Sequence, residues 1–113
     1  MKNLAYIAGF FDGEGCIHMR SDGRLLVDIV QRDTRPLLFI QESTGFGKLI
    51  QQSTGLWHLR SSHREMIKPF LVALIPFLIV KRAQAVLAIQ FMDDGKNLVK
   101  VRDKIKSLKK ERF

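Results

Sequence analysis

Small residues recur at every fourth position of the first apolar segment, "LAYIAGFFDGEGCI": Ala5, Gly9 and Gly13, with Ala8 and Asp12 beside them. At a helical period these positions fall on one stripe almost without side chains. Glycine inside a helix costs about 1 kcal/mol relative to alanine, so a helix carrying Gly9 needs a packing reason. The simplest is another backbone lying very close. That backbone comes either from the same helix of a second copy, across a two-fold axis, or from this protein's own sheet or a later helix.

The remaining chain is cut into short elements. Residues 3–13 read as a helix with Asn3 as its N-cap. "CIHMR" (16–20) alternates, "SDG" (21–23) signals a turn, and "RLLVDIVQ" (24–31) is the return strand. "DTRPLLFIQESTG" opens on cap-forming residues and Pro36 and closes at Gly45, a short helix. "FGKLIQQ" and "LWHLRSS" flank "STG" (53–55) as a second hairpin. Residues 69–78 and 81–92 read as helices separated near Pro76, and "DDG" (93–95) precedes a basic helix over 96–113. The expected fold is one α+β domain over residues 1–113, with one antiparallel sheet of four strands and helices on one face.

Composition narrows the class. A chain of 113 residues, 46% hydrophobic and 27% charged, suits a single globular core. A net charge of +8 and a pI of about 10.1 point to an anionic partner, nucleic acid ahead of a membrane surface. Residues 96–113 hold eight Lys/Arg against two acids. Cys16 is the one cysteine, so no intrachain disulfide forms and a reducing compartment fits. His18, His58 and His63 are too scattered to make a zinc site with it. The opening apolar run lacks a small-residue cleavage site, so no targeting segment is expected. The run at 69–80 is short, carries two prolines and reads as buried core rather than a membrane span. The expectation is a soluble intracellular protein, in a bacterial or archaeal cytoplasm or an organelle matrix.

Asp12 and Glu14 sit where the first helix ends. The last-turn carbonyls lack intrahelical partners there, and the helix dipole favours a cation. Glu14 adds a formal charge at the same place. Such oxygens suit a hard ion such as Mg²⁺, which takes one or two carboxylates and fills its shell with water and phosphate. A two-fold axis through the stripe would bring two copies of Glu14 together, and paired metals stabilise both oxygens of a displaced phosphodiester.

"YIAGFFDGEGCI" resembles the signature of the LAGLIDADG homing endonucleases: aromatic, aliphatic, Ala-Gly, two apolar residues, Asp-Gly-acid-Gly, then an aliphatic one residue on. The element order extends the resemblance over most of the chain. It implies an αββαββα domain and an intron-encoded, site-specific endonuclease that cuts both strands of DNA with Mg²⁺ (or Mn²⁺). It implies Glu14 as catalytic acid and metal ligand, the Gly13 carbonyl facing the same metal, and Gln31 and Lys81 as helpers at the scissile phosphate. One motif resembles the homodimeric members, so Ala5, Ala8, Gly9, Asp12 and Gly13 are implied at a dimer interface. Many members carry Asp where this chain has Glu14; the family uses both. A non-cleaving relative, such as an intron-splicing maturase or a transcription factor, is the alternative, and a basic module that merely dimerises is another.

Strand parity then proposes a reading surface. His18 and Arg20 share a face, Asp28 lies between Leu26 and Val30, Lys48 pairs in parity with Gln52, and His58 with Arg60. Arg24 opens the second strand and Arg32 follows it. An aspartate accepts from cytosine and an arginine donates to guanine, so this set is the expected DNA contact.

Overall fold

The computed structural model describes residues 1–110. Helix α1 (Leu4–Glu14) runs straight into β1 (Gly15–Met19), which turns back as β2 (Leu25–Gln31). Then follow α2 (Thr34–Thr44), β3 (Lys48–Gln51), β4 (Trp57–Ser61), α3 (Arg64–Leu74), a 3₁₀ turn (Ile75–Phe77), α4 (Arg82–Asp94) and α5 (Leu98–Lys109). The four strands form one antiparallel sheet in the order β1-β2-β4-β3. This is the expected α+β architecture, with α4 and α5 completing the layer of helices. Gly15 makes the abrupt helix-to-strand step possible: a Cβ there would stand 2.3 Å from the Phe11 ring.

The sheet alternates as its sequence alternates. Ile17, Met19, Leu25, Val27, Ile29 and Leu59 are buried beneath the helices, while Cys16, His18, Leu26, Asp28 and Val30 take the other face. The core centres on Phe70, which meets Phe11 edge-on at 5.8 Å and stacks on Phe46 at 4.0 Å. Phe70→Ala removes both contacts and is expected to cost about 3–5 kcal/mol of stability, measured by urea unfolding. A loss well below that range would mean the two remaining rings close the cavity.

Helix α2 is bounded as expected. The Asp33 carboxylate accepts from the Arg35 backbone N–H at 2.9 Å, and Gly45 closes the helix in the left-handed region at φ 73°. The Arg35 guanidinium also grips Asp33, at 2.6 Å, and this side-chain bond does most to hold the carboxyl down from 3.8 to about 2. A depressed folded pKa makes the cap's contribution complete above pH 3.8 and lost as pH falls through about 2. An NMR titration should find Asp33 near that low value, and Arg35→Ala should return it toward 3.8. A wild-type midpoint at 3.8 would show that the pairing does not persist in solution.

Three local expectations are corrected. Asn3 precedes α1 but sits at φ 59° and caps nothing; its amide reaches Ser43 Oγ at 3.4 Å. Helix α3 begins at Arg64, not at residue 69, and runs through Pro69. Ile67, Phe70, Leu71 and Leu74, at helical spacing, are all buried, and their burial outweighs the hydrogen bond that proline removes. The run 69–80 is not uniformly core: Phe77, Ile79 and Val80 are exposed, Ile79 at 81%. Helix α5 covers Leu98–Lys109 of the expected 96–113, and residues 111–113 lie outside the described residues. It docks through Leu98, Val101, Ile105 and Leu108 with its lysines outward, as the periodicity predicts. Among the described residues no helix is long and apolar enough to cross a membrane.

Candidate active site and nucleic-acid face

The small-residue stripe is on the surface. Ala5, Gly9 and Gly13 are exposed, and a Cβ built on Gly9 or Gly13 would meet nothing within 4 Å. The chain's own sheet and later helices therefore do not supply the close neighbour. Exposed apolar side chains lie on the same region: Tyr6, packed edge-on against Phe39 at 5.5 Å, and Ile79, whose N–H is bonded to Asp12. One member of the expected interface is corrected. Ala8 is fully buried in this chain's own core. The Asp12 carboxylate accepts from the backbone N–H groups of Ile79 (2.8 Å) and Lys81 (2.9 Å), fastening the loop before α4 to α1.

That fastening builds the site. Lys81, directly ahead of α4, donates from Nζ to the Asp12 carbonyl in the last turn of α1, at 2.6 Å. It thereby arrives beside the helix end where Glu14 stands exposed, 67 residues away in sequence. Burial pushes the Lys81 ammonium below its ordinary pKa, with Asp12 and more weakly Glu14 opposing and Lys109 reinforcing the shift. A lysine so placed gives up a proton more readily than one in water. The sign for stability follows: the unfolded chain binds that proton more tightly, so this strain eases as pH rises toward 10.5. Gln31 ends β2, two residues past Ile29, which pairs with Gly15; the ladder thus carries Gln31 toward the end of α1.

Among the described residues no three His, Cys, Asp or Glu side chains gather closely enough to hold a metal ion. At this corner the described residues offer the free carboxylate of Glu14, at the negative end of a helix. Such a donor set fits a hard divalent ion that takes its other ligands from water, phosphate or a second copy. Sequence reasoning missed Lys109. Its Nζ lies 3.6 Å from Cys16 Sγ, two residues beyond Glu14, so the basic α5 ends at the same corner. No local pattern announces a contact spanning 93 positions.

The sheet face away from the helices carries His18 and Lys48, both exposed, and Asp28, His58 and Arg60. Arg20 and Arg24 are exposed in the β1–β2 turn, and Arg32 follows β2. Gln52 is corrected from strand to turn: β3 stops at Gln51, and the Gln52 N–H bonds the Leu56 carbonyl at 2.8 Å. Asp28 and His58 are not free side chains. They are bonded to each other, with Arg60 against both.

An α+β domain with a bare helix stripe ending in a free acid, set against an open basic sheet, has the architecture of the LAGLIDADG proteins. No protein-family model matches the chain. The DNA endonuclease I-CvuI of Chlorella vulgaris is 30% identical over 101 residues, 79% of this chain and 63% of that protein. The chain thus spans under two thirds of that relative's length. Among solved structures, I-CvuI in complex with the I-CreI target superposes with a TM-score of 0.82 and 27% identity, over 96% of this chain and 83% of that one. That complex was formed in 2 mM Mg with the DNA not cleaved. The LAGLIDADG meganuclease I-AabMI, bound to uncleaved DNA, matches 95% of this chain but 43% of its own, at a TM-score of 0.73 and 24% identity. In sequence and in fold the chain is similar to these LAGLIDADG homing endonucleases.

Proposed function

We propose that two copies of this chain form a site-specific DNA endonuclease that hydrolyses both strands of a duplex with Mg²⁺ or Mn²⁺. The observation that carries the reading is the conjunction at the end of α1. An exposed glycine stripe unused by its own chain ends in the free Glu14 carboxylate, and Lys81 is tied to the same turn. The 43% coverage of I-AabMI supports two such units in one working nuclease. I-CvuI, the nearest in overall shape of those described above, was captured on DNA.

In the dimer, Glu14 and its symmetry mate would face each other across the axis, with the Gly13 carbonyl beside each. A divalent ion bound there supplies Lewis-acid stabilisation of the charge that develops on the phosphate. Lys81 holds a positive charge, and a loosely held proton, next to the scissile position. Gln31 orients the attacking water through its amide. The sheet lies in the major groove with His18, Lys48 and the arginines of the β1–β2 turn against bases and phosphates.

The test is cleavage of a randomised duplex library in Mg²⁺ and Mn²⁺, sequencing the cut ends. Discrete double-strand cuts within one recurring site support the reading. Tight, metal-indifferent binding without cuts would place the chain among the non-cleaving relatives instead.

A further inference from the structure

Asp28, His58 and Arg60 converge on the open face of the sheet, with Asp28 paired directly across from Arg60. His58 Nδ1 lies 3.1 and 2.9 Å from the two Asp28 oxygens. Arg60 Nη2 lies 3.3 Å from Asp28 Oδ2 and 2.8 Å from His58 Nδ1. A guanidinium nitrogen only donates. Assigning the Nδ1 proton toward the two carboxylate oxygens in reach leaves Arg60 Nη2 facing another donor. The cluster holds one donor too many. Its members also differ in exposure: the side chain of His58 is 8% exposed, Asp28 15% and Arg60 32%. Among the described residues, buried Arg60 Nε and His58 Nε2 have no hydrogen-bond partner. Arg60 is therefore the outermost member, and it carries a buried nitrogen still open to a partner.

We propose that these three residues act as one base-reading unit, in which Arg60 pairs with a guanine and Asp28, clamped by His58, orients its guanidinium without touching DNA. The proposal rests on the endonuclease reading and refines it. Asp28 and His58 become positioning residues, where strand parity alone made each a contact. The chemistry is complementary. Guanine presents two acceptors, O6 and N7, to one edge of a guanidinium, leaving another edge for a carboxylate. Turning the guanidinium so that its outer edge meets the base and Nε, now without a partner, faces Asp28 removes the crowding of Nη2 against His58 and keeps the Asp28–His58 bond. A bare aspartate facing DNA would meet the phosphates' field, whereas one already bonded to His58 and Arg60 is shielded from it.

The test is a binding selection from a randomised duplex library in Mg²⁺, with full-length protein carrying Glu14→Gln so that sites survive. Arg60→Ala, Arg60→Lys and Asp28→Asn are added singly, and each variant's melting is checked by circular dichroism. The parent should select a guanine at two symmetry-related positions. Arg60→Ala and Arg60→Lys should both relax that preference by about ten- to a hundredfold, leaving the other positions unchanged. Arg60→Lys keeps the charge and stem, so it covers the case in which the alanine variant folds poorly. Asp28→Asn should weaken the same positions and no others. A change at a different position in Asp28→Asn would mean that Asp28 reads its own base, which overturns the proposal. So would an unaltered preference in both Arg60 variants. Either result leaves the endonuclease reading standing if the wild type still cuts; a library neither selected nor cut removes both.

Discussion

Glu14→Gln is expected to abolish strand cleavage in Mg²⁺ or Mn²⁺, lowering the rate about a thousandfold or more, while the protein folds and still binds DNA. The side chain is exposed at the end of α1, so the isosteric amide costs little stability. What disappears is the free Glu14 carboxylate near Lys81. A divalent ion contributes several kcal/mol to a phosphodiester transition state, and each 1.4 kcal/mol is about tenfold in rate. Lys81→Met should cost less, because it removes a helper and leaves the ion's ligand in place. Retained binding is part of the expectation, since an amide repels phosphate less than a carboxylate does. Single-turnover cleavage of the selected site, beside a gel-shift on the same duplex, separates the two effects. Cleavage within a few-fold of wild type would show that the acid at this helix end is not the metal ligand.

The second large effect falls on assembly. If the proposed dimer forms, Gly9→Leu should leave a folded monomer with no double-strand cutting. Within one copy the substitution is benign: a Cβ at Gly9 meets nothing within 4 Å, and leucine favours a helix over glycine by about 1 kcal/mol. Between copies the same atoms would sit where two backbones touch, once from each side of the axis. Overpacking costs about 1–3 kcal/mol per site, so two sites weaken association by about two orders of magnitude or more. Sedimentation equilibrium reads the mass and circular dichroism reads the fold. A wild-type protein that sediments as a single chain, or a Gly9→Leu protein that still pairs and cuts, would overturn the shared-axis arrangement.

How far the sequence could be read depended on the range of the forces involved. The end of α1, the two hairpins, the Asp33 cap and the Gly45 stop are all set by neighbours within a few residues, and they stand as the pattern predicts. Strand parity was equally legible, because a buried face leaves period-two spacing no freedom to slip. Helix α3 was misread from Pro69. There proline's preference for a helix's first turn set the start too late, because the burial of Ile67, Phe70, Leu71 and Leu74 carries the helix through it, a tertiary gain that no local rule weighs. The uniformly apolar run 69–80 likewise hid that Ile79 and Val80 face outward.

By itself, the sequence determined the kind of domain, the acidic helix end, the bare stripe and the parity of the strands, because each is written in spacing along a few turns or pleats. Only the tertiary structure decided what those features meet. Asp12 binds backbone 67 and 69 residues away, Lys81 is carried to the same turn, and Lys109 closes on Cys16 across 93 positions. Ala8 turns inward, and Asp28 is taken up by His58 and Arg60. Such contacts cost loop entropy before they return any bond, so they form only where the whole core has already brought the partners together.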